Sequence, residues 1–163
     1  GNNNYKPSVA RWNMATGEIN PMPYEYPDLK KVRFIYAASA EHQLYVQCYT
    51  QYDLMTICDF NGNLKCNIYG PKWVNEKTQT QHYSLGVEFC GDKILALYSG
   101  GDHRTDAYYP TKFLVFDLNG NYLKTLETGY MITDFCYDKE NNRLIINLND
   151  EIQFTYLDLE GII

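Results

Sequence analysis

A short turn recurs along the chain and limits the folds that the chain can adopt. Its copies are Asp59-Phe60-Asn61-Gly62-Asn63, Asp117-Leu118-Asn119-Gly120-Asn121 and the shorter Asp158-Leu159-Glu160-Gly161. Apolar runs precede and follow each of the first two copies. Asn-Gly between two such runs predicts a β-hairpin with a type I′ turn, in which both central residues take a positive φ. The same hairpin repeated along one chain indicates a repeat architecture.

Strand-like runs surround these turns in groups of four. One complete group is predicted over residues 32–38, 43–49, 54–60 and 64–69, and a second over 85–89, 94–98, 113–118 and 122–126. A third group has only the runs 132–137, 144–148 and 152–159, and two further runs, 9–15 and 19–26, precede the first group. The apolar spacing is alternating or continuous, so these runs predict strands and no long amphipathic helix.

The recurring group of four strands favours a β-propeller over a β-sandwich, because propeller blades are four-stranded antiparallel sheets repeated around an axis. The closing glycines Gly17, Gly62, Gly120 and Gly161 recur at spacings that bracket the ~40–50 residues of known blades. The prediction is a single all-β domain over 1–163. It comprises the outer strands of a preceding blade (8–26), two blades (30–70 and 83–127) and a blade without its outer strand (130–160).

Three segments resemble the TolB-like six-bladed β-propellers. They are FLVFDLNGN at 113–121, ITDFCYD at 132–138 and NRL at 142–144. The likeness extends over about residues 30 to 160. It implies a propeller fold and a location in the cell envelope, since many such proteins are predicted lipoproteins of Gram-negative gut bacteria. It transfers no functional residue.

Three to three and a half blades form an incomplete ring, since closed propellers have about four to eight. Two interpretations follow from this count. Either two chains associate as a homo-oligomer that completes a ring of about six blades, or the sequence is a segment of a longer protein. Self-association is the favoured one, because an open array would expose unpaired strand edges and apolar surface.

Composition excludes several functional classes. The 16 Tyr and 7 Phe suit half-buried sheet surfaces, and the net charge of −6 argues against a nucleic-acid partner. No apolar stretch approaches the ~20 residues of a transmembrane helix.

The five cysteines form no CxxC pair and are interpreted as buried free thiols, with a disulfide among Cys48, Cys58 and Cys66 as the alternative.

Two insertions of the second group are the predicted binding site. Residues 70–83 enter that group, and residues 99–111 connect its second and third strands. Both must leave the sheet at the end opposite the Asn-Gly turns, because consecutive strands are antiparallel. Aromatic and polar side chains suited to a glycan or peptide ligand are Trp73, His82, Tyr83, Asp102, His103, Arg104, Tyr108 and Tyr109. The alternative is that these are solvated loop residues without a specific role.

The leading prediction is a non-catalytic binding or scaffold module for a glycan, peptide or protein, without a cofactor. The alternative is a metal-dependent hydrolase or lactonase-like enzyme, with Asp102, His103 and Asp106 as metal ligands. The innermost predicted strands supply Glu88 and Asp134 but no histidine, which favours binding over catalysis. The Asp of each repeated turn is interpreted as accepting hydrogen bonds within its own hairpin and not as a calcium ligand.

Overall fold

A computed structural model describes residues 9–22, 29 and 32–163 of the chain. These residues form thirteen strands, all in antiparallel sheets, and one short 3-10 turn at Asp106–Tyr108. The all-β prediction is therefore confirmed. Part of the predicted run 19–26, and the boundary residues 8, 30 and 31 of the predicted units, lie outside the described residues.

Two four-stranded sheets occupy the centre of the described chain. The first contains β3 (Phe34–Ser39), β4 (Leu44–Tyr49), β5 (Leu54–Asp59) and β6 (Leu64–Tyr69) in that order. The second contains β7 (Thr80–Cys90), β8 (Lys93–Asp102), β9 (Lys112–Asp117) and β10 (Tyr122–Glu127), also in chain order. Strands β4 and β5 are buried on both faces, which explains why their sequences read as continuous apolar runs.

Two smaller sheets flank this pair. β11 (Ile132–Asp138), β12 (Arg143–Leu148) and β13 (Phe154–Asp158) form a three-stranded sheet. β1 (Ala10–Trp12) and β2 (Ile19–Pro21) form a hairpin. In the three larger sheets the first strand is an edge strand, and β7 contacts both β3 and β11. Gly86 makes the approach to β11 possible, because a Cβ there would lie 2.7 Å from the Phe135 ring.

Separate apolar cores lie between successive sheets. Val46, Met55 and Ile57 of the first four-stranded sheet pack against Ile94 and neighbouring side chains of the second. On its other face the second sheet packs against the three-stranded sheet, with Phe113 and Phe135 in edge-to-face contact at 4.9 Å between ring centroids. Burial of these faces drives the stacking, since each sheet alone would leave apolar surface in water.

The repeated turns differ from the predicted type I′ geometry. Gly62 and Gly120 have φ of 84° and 85°, as predicted, but Asn61 and Asn119 are not among the described non-glycine residues with positive φ. The Gly62 N–H donates to the Asp59 carbonyl, and the ladder shifts register just beyond the turn. This pattern is a three-residue loop with a left-handed glycine and a bulge, in which only the glycine needs the left-handed region.

The aspartate of each repeated turn stabilises its own hairpin, as predicted. Asp59 Oδ1 accepts hydrogen bonds from the backbone N–H groups of Asn61 and Asn63, and its Oδ2 accepts one from the Asn63 side chain, all at 2.9 Å. The turn at residues 117–121 repeats the same three bonds at the same distances. These bonds hold the pKa of both carboxyl groups below their ordinary values.

Candidate functional site

The two predicted insertions meet at the end of a long hairpin formed by β7 and β8. The ladder pairs Thr80 with Asp102, so both strands reach several residues further than their apolar runs. The backbone N–H and ring Nδ1 of His103 lie 3.1 and 2.9 Å from the Gln79 carbonyl oxygen. The insertions therefore share one end of the sheet, opposite the turn at Gly120, as the antiparallel order predicts.

Strand boundaries correct part of the loop prediction. His82 and Tyr83 belong to β7 and are buried, whereas the sequence placed them in an insertion. The sequence did not predict this extension of β7 and β8, because it contains polar residues and glycines of low strand propensity. Gly101 is required in it, because a Cβ there would lie 1.9 Å from the Ala107 carbonyl oxygen. Cross-strand pairing and the returning 3-10 turn thus determine the local structure.

Asp102 and Arg104 form an ion pair within their own loop. Arg104 Nη2 lies 2.7 Å from Asp102 Oδ2, and Arg104 Nε lies 3.0 Å from Oδ1. The adjacent guanidinium holds the pKa of the Asp102 carboxyl well below its usual range. A ligand would have to compete with this pairing for either charge, so the pair chiefly shapes the loop.

The aromatic residues of the insertions form two separate ring contacts. Tyr108 and Tyr109 stack on each other with ring centroids 4.2 Å apart. Trp73 packs edge-on against Tyr69 at 4.7 Å and lies 6.2 Å from Tyr52, beside a small core. Trp73 is thus partly a structural residue, and its joint role with Tyr108 and Tyr109 in binding remains a prediction.

A buried polar cluster lies beneath this end of the sheets. Asp53 and His82 are each 1% exposed, and Tyr98 joins them. The Tyr98 hydroxyl donates to Asp53 Oδ1 at 3.3 Å and lies 3.3 Å from His82 Nδ1, which is itself 3.8 Å from Asp53 Oδ1. The Lys72 backbone N–H donates to Asp53 Oδ2 at 2.9 Å. Buried polar groups of this kind are costly unless they are hydrogen-bonded.

The pairing of β7 with β8 is irregular on both sides of Tyr83, and His82 lies in the first irregularity. Tyr83 pairs with Tyr98 and Val87 pairs with Ala96, so four steps along β7 match two steps along β8. Leu85, within this bulge, has a φ of 68°, a strained value for a residue with a branched side chain. Bulges of this kind redirect side chains beside functional sites.

Burial shifts the pKa values of His82 and Tyr98 within the cluster. Burial, the nearby Asp53 charge and the hydrogen bond to Asp53 raise the pKa of Tyr98, so its phenol keeps its proton. Burial also lowers the pKa of His82, although the Asp53 charge opposes this shift. With the phenol proton donated to Asp53, the Tyr98 oxygen can accept a hydrogen from His82 Nδ1 in the tautomer that carries it there. His82 Nε2 is buried and has no hydrogen-bond partner among the described residues.

We expect the stability difference between the wild type and His82→Gln to depend on pH. The folded protein holds His82 neutral, while the unfolded chain binds a proton near the ordinary histidine pKa of about 6.5. Below that pH the unfolded state binds more protons, so the wild type loses stability as pH falls, by at most about 1.4 kcal/mol per pH unit. Chemical denaturation of both proteins across this window measures the difference, and parallel pH profiles would contradict the expectation.

An open cleft of about 400 Å³ lies between the two four-stranded sheets beside this cluster. Its walls come from strands of both sheets and from the first residues of the first insertion. The lining residues are Asp53, Ile68, Tyr69, Gly70, Pro71, Tyr83, Tyr98, Lys112, Leu114, Phe116, Tyr122 and Thr125. The ammonium of Lys112 lies 5.7 Å from the centre of the Tyr98 ring. Asp53 and Tyr98 thus belong to both the cluster and the cleft.

Sequence reasoning identified His82 and Tyr83 but missed Asp53, Tyr98 and Lys112. Asp53 precedes β5 in a polar loop and belongs to no motif. Its contact with Tyr98 spans 45 residues of chain and two sheets. Gly70 is the residue that comes closest to indicating this contact in the sequence, because a Cβ there would lie 2.2 Å from the Asp53 carboxylate. That close approach becomes visible only in three dimensions.

The metal-ligand hypothesis gains no support from the described part of the chain. No group of three or more His, Cys, Asp or Glu side chains within it is arranged to hold a metal ion. Asp102 is paired with Arg104, and His103 faces the Gln79 carbonyl oxygen.

The cysteines are all free thiols, as the leading interpretation predicted. Cys48, Cys58 and Cys90 are buried, and burial raises the pKa of the Cys58 thiol to about 11. Cys66 is half-buried, and Cys136 is exposed, which differs from the expectation that every thiol is buried. Cys136 lies on β11 with its side chain outside the apolar core, because the alternate strand positions of Phe135 and Tyr137 face that core.

Comparisons with known protein families and curated sequences give no match for this chain. Within the ranges that the structure describes, no helix has the length and apolar character needed to cross a membrane.

Proposed function

We propose that this chain is part of a β-propeller and acts as a non-catalytic binding module whose ligand occupies the cleft between the two four-stranded sheets. The observation that carries this proposal is the buried Asp53 carboxylate, which meets Tyr98 at the wall of a preformed aromatic cleft. Concave, largely apolar pockets with a few converging polar groups are the usual form of small-ligand sites.

The propeller part of the proposal rests on topology. Each four-stranded sheet is an antiparallel meander in chain order, and the first strand of the second sheet, β7, contacts the first strands β3 and β11 of the sheets on either side. Blades around an axis have this arrangement, with their first strands innermost. The resemblance to TolB-like propellers, and the envelope location that it implies, are part of the same proposal.

The binding part of the proposal rests on a comparison within the molecule. The described residues line two other grooves of similar size between successive sheets. One, of about 530 Å³, separates the β1–β2 hairpin from the first four-stranded sheet, and the other, of about 420 Å³, separates the second from the three-stranded sheet. Among the residues that the structure describes, neither is lined by a buried carboxylate. Grooves between stacked sheets are therefore common to this architecture, and the buried acid distinguishes the cleft.

A catalytic role for the cluster is not supported by its geometry. His82 is buried and does not line the cleft, so its imidazole would act on a ligand there only through the Tyr98 hydroxyl. The Tyr98 phenol keeps its proton next to the Asp53 charge and is a poor base. The cluster instead orients Asp53 and Tyr98 as fixed hydrogen-bonding groups.

A fragment screen by amide-resolved NMR tests the proposal. We expect fragments to shift the amides of cleft residues such as Leu114 and Phe116, and not those lining the two other grooves. Tyr122→Ala should weaken the best fragment by about 2 kcal/mol, roughly 30-fold, if Tyr122 is an anchor. Tyr156→Ala is the matched control, because Tyr156 is equally exposed on an edge strand but lines another groove. Equal shifts in all three grooves would contradict a specific site.

The proposed homo-oligomer draws support from exposed apolar side chains. Phe154 and Tyr156 on the edge strand β13, and Trp12, Met14 and Ile19 of the β1–β2 hairpin, are all well exposed. Light scattering of the purified chain decides this point, and the mass of a single chain at high concentration would contradict self-association.

A further inference from the structure

We infer that the cleft binds an uncharged sugar residue of a glycan. This inference rests on the proposed function and specifies its ligand class. It follows from the two opposite charges, the exposed rings at the edges of the cleft and the free hydrogen-bonding capacity of Asp53, each of which constrains the ligand in a different way.

The charges of the cleft favour a neutral ligand. Asp53 supplies a buried negative charge, and Lys112 supplies a positive charge over the Tyr98 ring. A cationic ligand drawn to Asp53 or to the tyrosine rings would meet the Lys112 ammonium, and an anionic ligand drawn to Lys112 would meet the Asp53 carboxylate. At short range each like-charge contact is unfavourable, most of all beside a buried group. A neutral ligand with both donors and acceptors satisfies the two charges together.

The hydrogen-bonding groups suit a polyol. A carboxylate offers about four acceptor positions, and the described contacts of Asp53 use two of them, for Lys72 N–H and Tyr98 O–H. The ammonium of Lys112 offers up to three donors. Adjacent sugar hydroxyls can donate to a carboxylate and accept from an ammonium, and hydrogen bonds to charged groups are stronger than neutral ones.

The rings suit the apolar face of a sugar. Tyr69 on β6 and Tyr122 on β10 are 50% and 58% exposed, and they line the cleft from opposite sheets. Phe116 lies behind Tyr122, with ring centroids 6.0 Å apart in an edge-on contact. The C–H groups on one face of a pyranose ring pack against such aromatic faces, and rings whose positions are held in advance lose little entropy on binding.

A peptide ligand is less favoured by the same surface. Peptides that bind β-sheets commonly add a strand at a free edge through main-chain hydrogen bonds. The edge strands β6 and β10 border the cleft, but a strand added to either edge would extend that sheet outward, so a peptide could fill the space between the sheets only by inserting a side chain. A neutral aromatic side chain could contact the rings but would leave Asp53 and Lys112 without new partners.

Titration with a panel of neutral methyl pyranosides and neutral disaccharides, followed by amide-resolved NMR, tests the inference. At least one neutral sugar should shift the amides of Leu114, Phe116 and Thr125. The matched charged sugars, glucuronate and glucosamine, should bind at least about tenfold more weakly, because each meets a like charge. Tyr69→Ala should weaken the neutral sugar about three- to tenfold. Tyr130→Ala, which removes an equally exposed ring between β10 and β11 and outside the cleft, should leave the affinity unchanged.

The contrary outcomes separate the inference from the proposed function. If fragments or peptides occupy the cleft while no neutral sugar does, the glycan inference is wrong and the binding module stands. If glucuronate or glucosamine binds more tightly than its neutral counterpart, the charge argument and the inference are both wrong. If no probe of any class shifts the cleft amides, the proposed function fails together with the inference.

Discussion

Replacing Asp53 with alanine is expected to lower the free energy of unfolding by about 2–3 kcal/mol. The substitution removes the acceptor of the buried Tyr98 hydroxyl and of the Lys72 N–H, and a buried donor left without a partner costs about 1–3 kcal/mol. For a chain of this length the midpoint of thermal unfolding should fall by roughly 5–10 °C.

Asp92→Ala is the matched control for Asp53→Ala. Its carboxylate is 77% exposed and pairs only with the neighbouring Lys93 among its described contacts, so its removal should change stability by no more than about 0.5 kcal/mol. Urea denaturation of the three proteins compares them directly. If Asp53→Ala unfolds at the wild-type urea concentration, Asp53 does not organise the cluster and the site must be reconsidered.

Gly120→Val is expected to destabilise the protein by about 3 kcal/mol or more. Gly120 has a φ of 85°, where a side chain costs about 1–2 kcal/mol. A Cβ there would also lie 2.8 Å from Cys66 Sγ and 2.9 Å from Ile68 Cδ1, both on β6 of the neighbouring sheet. The turn therefore takes part in packing between sheets in addition to closing its own hairpin.

A pair of alanine variants separates strain from packing. Gly91 has a φ of 61°, and no atom of the described residues lies within 4 Å of where a Cβ would be, so Gly91→Ala measures chiefly the backbone strain. Gly120→Ala adds the contacts with β6 and should be less stable than Gly91→Ala by a further 1–3 kcal/mol or so. Equal destabilisation of the two variants would show that the β6 contacts are easily relieved.

Much of the secondary structure could be predicted because its causes are local. The prediction of residues 64–69 as a strand coincides with β6, and most other predicted strands match within one or two residues. The aspartates of the repeated turns were correctly interpreted as hairpin caps, since Asp59 and Asn63 are only four residues apart. The turn type was wrong, because Asn-Gly is compatible with both a two-residue and a three-residue loop.

The candidate site could be predicted only in part. Antiparallel order was enough to place both insertions at one end of the second four-stranded sheet. It could not show that Trp73 packs against Tyr69, or that Asp102 is paired within its own loop. Side-chain partners of loop residues depend on distances that strand order does not specify.

By itself the sequence determined the strands, the repeated hairpins and the end of the sheet from which the insertions project. The alternation of apolar residues along a strand and the need for glycine at a left-handed turn position both involve only a few neighbouring residues. Both patterns can therefore be recognised in a single sequence. Only the tertiary structure decided that Asp53, His82 and Tyr98 share one buried cluster, and that Asp53 and Tyr98 line a cleft with Lys112. The physical reason is that stacking of two sheets brings these groups together, and burial then shifts the pKa values of His82 and Tyr98 and makes hydrogen-bond partners necessary.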